Sequence, residues 1–124
     1  MRIFNSSAGD PMLFATANGL LALHRSLEAF LNSASLESAF PALTTGNPAP
    51  YAEFLLGLKV RKGNRSMLSL LPNGWLELAG SPHDINSFGS KLLTCKNGSH
   101  THWYSTPVSL VIEEGNFEAV ASES

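Results

Sequence analysis

MLFATANGLLALHRS, residues 12–26, and MLSLLPNGWLELAGS, residues 67–81, are the two stretches on which the fold turns, because the first is echoed by the second at a constant offset. Met12-Leu13 returns as Met67-Leu68 and Asn18-Gly19 as Asn73-Gly74, while Leu21, Leu23 and Ser26 return as Leu76, Leu78 and Ser81. Farther along, Leu58-Lys59-Val60-Arg61-Lys62-Gly63 has the rhythm of Leu110-Val111-Ile112-Glu113-Glu114-Gly115. Self-similarity of this kind predicts a duplicated unit, one copy at about 10–63 and the other at about 65–115.

Within each copy the signals follow the same order. Asn-Gly between apolar runs marks a hairpin, since both central residues of a type I′ turn need positive φ; two hairpins are therefore expected, at Asn18-Gly19 and Asn73-Gly74. A serine then begins a helix. Ser81 is a cap, Pro82 suits the first helical position, Asp84 suits the positive end of the dipole, and Ile85, Phe88, Gly89 and Leu92 fall on one face. The corresponding helix is expected from Ser26, with Leu27, Phe30, Leu31 and Ala34 on its buried side. Period-two alternation ends each copy, burying Phe54, Leu56, Leu58 and Val60 in one and Val108, Leu110 and Ile112 in the other.

Strand, strand, helix, strand, written twice, predicts an α+β fold. Its two pseudo-symmetric units form one mainly antiparallel sheet of about six strands with both helices on one face. If the third strands are neighbours, Arg61-Lys62 and Glu113-Glu114 attract one another across the axis. The linkers differ most. Residues 35–50 make a long connection holding Pro41, Pro48 and Pro50, with Leu36 to Phe40 either an extra helical turn plugging the core or part of a partner-binding loop. Ile3 and Phe4 suggest an added edge strand, and residues 116–124 a tail without structure.

At 124 residues the chain suits a single domain that buries roughly two thirds of its unfolded surface. The net charge of −2 is divided unevenly, with five Lys or Arg against four Asp or Glu in residues 1–63 and three against six in residues 64–124. No basic stripe follows a phosphate backbone, which argues against nucleic acid as a partner. Asn5-Ser6-Ser7 interrupts the start of the chain before any apolar leader, and no apolar run has the length of a bilayer. Together with a single cysteine, Cys95, this reads as a soluble cytoplasmic protein with no membrane association.

Chemistry-bearing patterns are sparse. His100-Thr101-His102 places two imidazoles on one side of a strand, where a metal would need further ligands from Cys95, His83 or Asp84; no spacing among these is diagnostic, so neither a metal nor another cofactor is expected. There is no G-x-S-x-G elbow, no phosphate-binding glycine loop, and Glu113-Glu114 point to opposite faces. No enzyme is expected. What remains is contact surface: Trp75, Trp103 and Tyr104, with Leu36 and Phe40 of the long linker, are the candidate partner-binding residues.

One block carries a resemblance. Leu76-Glu77-Leu78-Ala79-Gly80-Ser81-Pro82, a helix with Ile85, Phe88 and Leu92, then Gly98-Ser99-His100-Thr101-His102 and the strand Ser109-Leu110-Val111-Ile112-Glu113 resemble small bacterial α+β immunity proteins of polymorphic toxin systems, over residues 75–113. The resemblance implies a cytoplasmic protein that neutralises a toxin by occluding it, without catalysis. Two other readings stand beside it: a self-associating assembly protein, including a homodimer, joined through a sheet edge, and a small metal- or ligand-binding protein using His100 and His102.

Overall fold

The computed structural model describes residues 1–96 and 98–117. In chain order the elements are β1 (Arg2–Asn5), β2 (Met12–Ala15), α1 (Ala17–Leu31), β3 (Glu37–Pro41), β4 (Glu53–Phe54), β5 (Gly57–Lys62), β6 (Met67–Leu70), β7 (Trp75–Gly80), α2 (Pro82–Leu92), β8 (His100–Trp103) and β9 (Leu110–Glu114). The class is α+β, as the alternation of strand and helix patterns predicts.

Local chemistry sets the second hairpin and its helix. Gly74 has φ +89°, which a side chain would resist, and Asn73 Oδ1 accepts from the Trp75 amide at 3.2 Å, so the turn between β6 and β7 is closed by its own residues. At the start of α2, Ser81 Oγ accepts from the Asp84 amide and Asp84 Oδ2 accepts from the Ser81 amide, both at 3.1 Å. That reciprocal pair satisfies two donors that helix geometry leaves without partners. Ile85, Phe88, Gly89 and Leu92 are the buried face.

The same sequence signal means something else at Asn18-Gly19. Thr16 Oγ1 accepts from the Gly19 amide at 3.1 Å and caps α1, so Asn18-Gly19 forms the first helical turn and the expected hairpin is absent. Leu20, Leu23, Leu27 and Phe30 repeat at helical spacing and are all buried. That period outweighs the turn propensity of an Asn-Gly pair. Ser26 lies in mid-helix rather than at a cap, and Ala34 lies beyond the helix end.

The sheets differ more sharply from expectation. In place of one six-stranded sheet there is a five-stranded sheet, β4-β1-β2-β9-β8, and a four-stranded one, β3-β5-β7-β6. The pairs β2/β9 and β5/β7 are parallel and the others antiparallel. Asn18-Gly19 and Asn73-Gly74 occupy unlike surroundings, and Met12 begins the second strand of its hairpin whereas Met67 begins the first, so the duplication in the register of residues 12–26 and 67–81 does not hold. The connections nevertheless follow one plan. Each hairpin is followed by a helix, and the strand pair after the helix joins the other hairpin's sheet.

Two straps complete this exchange. Between β3 and β5 the chain leaves its sheet to pair as β4 with β1; between β8 and β9 it crosses to β6, where the Leu68 amide donates to Thr106 O at 2.9 Å and the Val108 amide donates to Leu68 O at 3.2 Å. Both hairpins thus have their outer edges covered, which limits uncontrolled strand addition. β1 is consequently an internal strand rather than the expected edge.

One apolar core joins the layers. Ile3, Leu13, Leu110 and Ile112 of the larger sheet meet Leu58, Val60, Leu76 and Leu78 of the smaller one and the buried faces of both helices. The helices pack on each other, with His24 Nδ1 of α1 2.9 Å from Gly89 O of α2, and with two sheets in place of one there is no single six-stranded face for both to cover. Leu36 to Phe40 is not a helical turn: Glu37–Pro41 pairs with β5 as an edge strand. β5 and β9 belong to different sheets, so Arg61-Lys62 and Glu113-Glu114 do not meet. Arg61 Nη2 instead lies 3.3 Å from Glu77 Oε1, and Lys62 Nζ donates to Ser33 O at 2.8 Å. Of the expected tail, residues 118–124 lie outside the described residues, while the Phe117 ring packs against Phe4 and Phe14.

Candidate functional site

The outer face of the five-stranded sheet has the most distinctive surface chemistry. Alternation sends Ile3, Leu13, Leu110 and Ile112 inward, so Phe4 of β1, Met12 and Phe14 of β2, Val111 and Glu113 of β9, and His100 and His102 of β8 share the other side. His100 is opposite Glu113 and His102 opposite Val111. The His100 and His102 rings meet edge to face at 5.5 Å, and Tyr104 stacks almost parallel on His102 at 5.6 Å and 9°. Three rings therefore stand in a row along the strand that ends the sheet. Tyr104 is 78% exposed, the most open of the large hydrophobic side chains among the described residues.

Beyond β9 the same face becomes apolar. Phe4 is ringed by Tyr51, Phe54 and Phe117 at centroid distances of 4.9, 5.2 and 5.9 Å. Residues 48–51 of the long linker arch over this cluster, and beneath them is an open recess of about 250 Å³, whose polar lining includes the Glu113 side chain. The linker expected to be a plug or a partner loop is here the roof of a second, smaller aromatic core.

No protein-family model, curated protein or solved structure matches this chain.

Of the residues singled out from sequence, only His100, His102 and Tyr104 come together. Trp103, on the inward side of β8, packs edge to face on Phe88 at 5.5 Å and belongs to the core; its Nε1 is buried with no hydrogen-bond partner among the described residues. Trp75 lies on the outer face of the other sheet, its ring laid over Gly57. Phe40 is half-buried against the main core, and Leu36, 70% exposed, precedes β3 at the far sheet. Trp75, Trp103, Tyr104, Leu36 and Phe40, the candidate partner-binding residues, therefore do not form one surface.

Nor do the metal candidates converge. Cys95 is buried and its thiol donates to Ile112 O at 3.3 Å, Asp84 is engaged in the α2 cap, and His83 is exposed in the first turn of α2. Among the described residues no group of three or more His, Cys, Asp or Glu side chains is arranged to hold a metal ion. No helix among them is long and apolar enough to cross a membrane.

Sequence reasoning missed Phe4, Phe14, Tyr51 and Phe117. A signal was present: Ile3-Phe4 and Met12–Ala15 are apolar at successive positions, the mark of strands covered on both faces rather than one.

Cys95 offers a direct check on this packing. Burial pushes its thiol above the ordinary value of 9.0, outweighing an opposing backbone hydrogen bond from Thr101, and Glu113 and Glu114 add to the rise. A raised thiol pKa favours the protonated form in the folded state, so its stabilising contribution is complete below the unfolded pKa and is lost as pH rises through the folded one. The folded protein should react slowly with a thiol reagent at mildly alkaline pH and rapidly once unfolded in urea. Fast stoichiometric labelling of the folded chain would contradict the burial.

Proposed function

We propose that this chain is a non-catalytic binding protein that occludes a protein partner with the His100, His102 and Tyr104 strip of β8. The observation that carries the reading is the stack itself. An exposed tyrosine held against a second ring has less freedom to lose on binding than one that swings in solvent, and rigid aromatic side chains are common anchors of interfaces. The strip also borders an edge strand, since among the described residues β8 pairs only with β9 and offers backbone groups for β-strand addition.

A toxin is the partner implied by the resemblance of residues 75–113 to immunity proteins, and occlusion of such a partner in the cytoplasm is consistent with this strip. The test is capture from the native host with the whole chain as bait, beside Tyr104→Ala. One stoichiometric partner should be retained by the unaltered chain and weakened about 30-fold or more by the substitution, the scale of a hot-spot residue. Equal retention by both proteins would remove the strip from the interface.

The open edge of β8 also favours a second reading, a homodimer paired edge to edge. Light scattering separates the two, because a monomer that persists at high concentration excludes self-assembly as the use of this edge.

A further inference from the structure

We infer that the recess on the outer face of the five-stranded sheet is a binding site for a small organic cation, with an ammonium head seated among aromatic rings and the Glu113 carboxylate as its counter-charge. The site adjoins the exposed strip of β8, with His100 opposite Glu113 across the β8/β9 pair, but its ligand is held by other residues and does not depend on that strip's role.

Three features point to this ligand class. Phe4, Phe14, Tyr51 and Phe117 converge on the recess with Met12, giving it polarizable walls whose ring faces carry negative potential. Glu113 lines the same recess half-buried, and among the described residues no hydrogen bond or ion pair reaches its carboxylate. A charge so placed repels anions and gains from a cation, whereas a neutral apolar guest leaves it without compensation.

The third feature is that this cluster already holds one cation. The Arg2 guanidinium lies 4.1 Å from the Phe117 ring centroid, fixed there by Nε and Nη2 donating to Thr45 O and Thr45 Oγ1, each at 3.2 Å. Arg2 lines a neighbouring depression and not the recess itself. Among the described residues, the lining of the recess itself carries the Glu113 carboxylate and no cationic side chain. Its volume of about 250 Å³ is below the range of about 300–1,000 Å³ usual for ligands of drug size, which selects a compact head on a short stem.

The probe is choline, titrated into the whole chain while the ring resonances of Phe4, Tyr51 and Phe117 are followed by NMR. Its neutral isostere, with the quaternary nitrogen replaced by carbon, is the comparison. Choline should saturate shifts at these rings and bind about tenfold more tightly than the isostere. Glu113→Gln, a nearly isosteric change on a half-buried residue, should reduce that preference and leave isostere binding unchanged. Equal affinity for both probes, an undiminished preference in Glu113→Gln, shifts confined to His102 and Tyr104, or no saturable shift at the recess would each overturn the assignment.

Discussion

Truncating Phe88 to alanine should remove about 3–5 kcal/mol of folding stability, the cost typical of deleting a buried phenylalanine ring. Phe88 is fully buried on α2, and it contacts both the helix layer and the sheet that carries β8, where the Trp103 ring stands edge-on to it at 83°. The loss has two parts: the apolar transfer energy of the ring and the cavity left between a helix and two sheets that cannot collapse independently. An aromatic pair adds roughly 0.5–1.5 kcal/mol beyond its buried area. Domains of this size have about 5–15 kcal/mol in all, so the variant should be close to unfolding at physiological temperature. Urea denaturation followed by far-UV circular dichroism measures this directly. A midpoint within error of the unaltered chain would mean that Phe88 is not the hinge of the core. Trp103→Phe is the informative companion, because it keeps a ring against Phe88 while deleting a buried N–H that has no partner among the described residues; it should cost far less than Phe88→Ala.

The second large effect is expected at Gly57, the first residue of β5 in the middle of the smaller sheet. A Cβ placed there would come within 2.5 Å of Trp75 Cζ3 and 2.6 Å of Phe40 O. The first obstacle is a side chain and can swing away; the second is the backbone of the neighbouring strand and cannot move without loosening the β3 to β5 ladder. Gly57→Ala should therefore destabilise by about 1–3 kcal/mol, as overpacking does elsewhere. Adding Trp75→Leu should recover only the part owed to the ring. Full recovery in the double variant would show that the strand carbonyl exerts no constraint, and an unaffected single variant would show that Trp75 does not rest on Gly57.

Legibility from sequence followed the range of the interaction. The turn at Asn73-Gly74, the cap at Ser81 and the buried face Ile85, Phe88, Gly89 and Leu92 are set by neighbours within a few residues, and each was readable. Asn18-Gly19 has the pair propensity of a hairpin, but the cap at Thr16 and the helical spacing of Leu20, Leu23 and Leu27 that follows override it. For the site, His100, His102 and Tyr104 were visible as alternating strand residues, yet nothing local indicated that Tyr104 would stack on His102 while Trp103 turned inward to Phe88. The aromatic recess was less accessible still. Its walls come from β1, β2, the linker at 48–51, β9 and Phe117, which are distant in the chain.

By itself the sequence determined the class and the local elements of the second half: the turn at Asn73-Gly74, the cap at Ser81 that starts α2, and the period-3.6 face of that helix. Only the tertiary structure decided which strands would be neighbours. Every strand presents the same backbone donors and acceptors, so β5 could in principle have joined β2 and β9 could have joined β7; the choice of the opposite hairpin in each case is made by how the apolar faces fit around α1 and α2. That exchange divides the expected single sheet into two and leaves the outer face of β1, β2 and β9 to be covered by aromatic residues and Glu113, where the candidate recess lies.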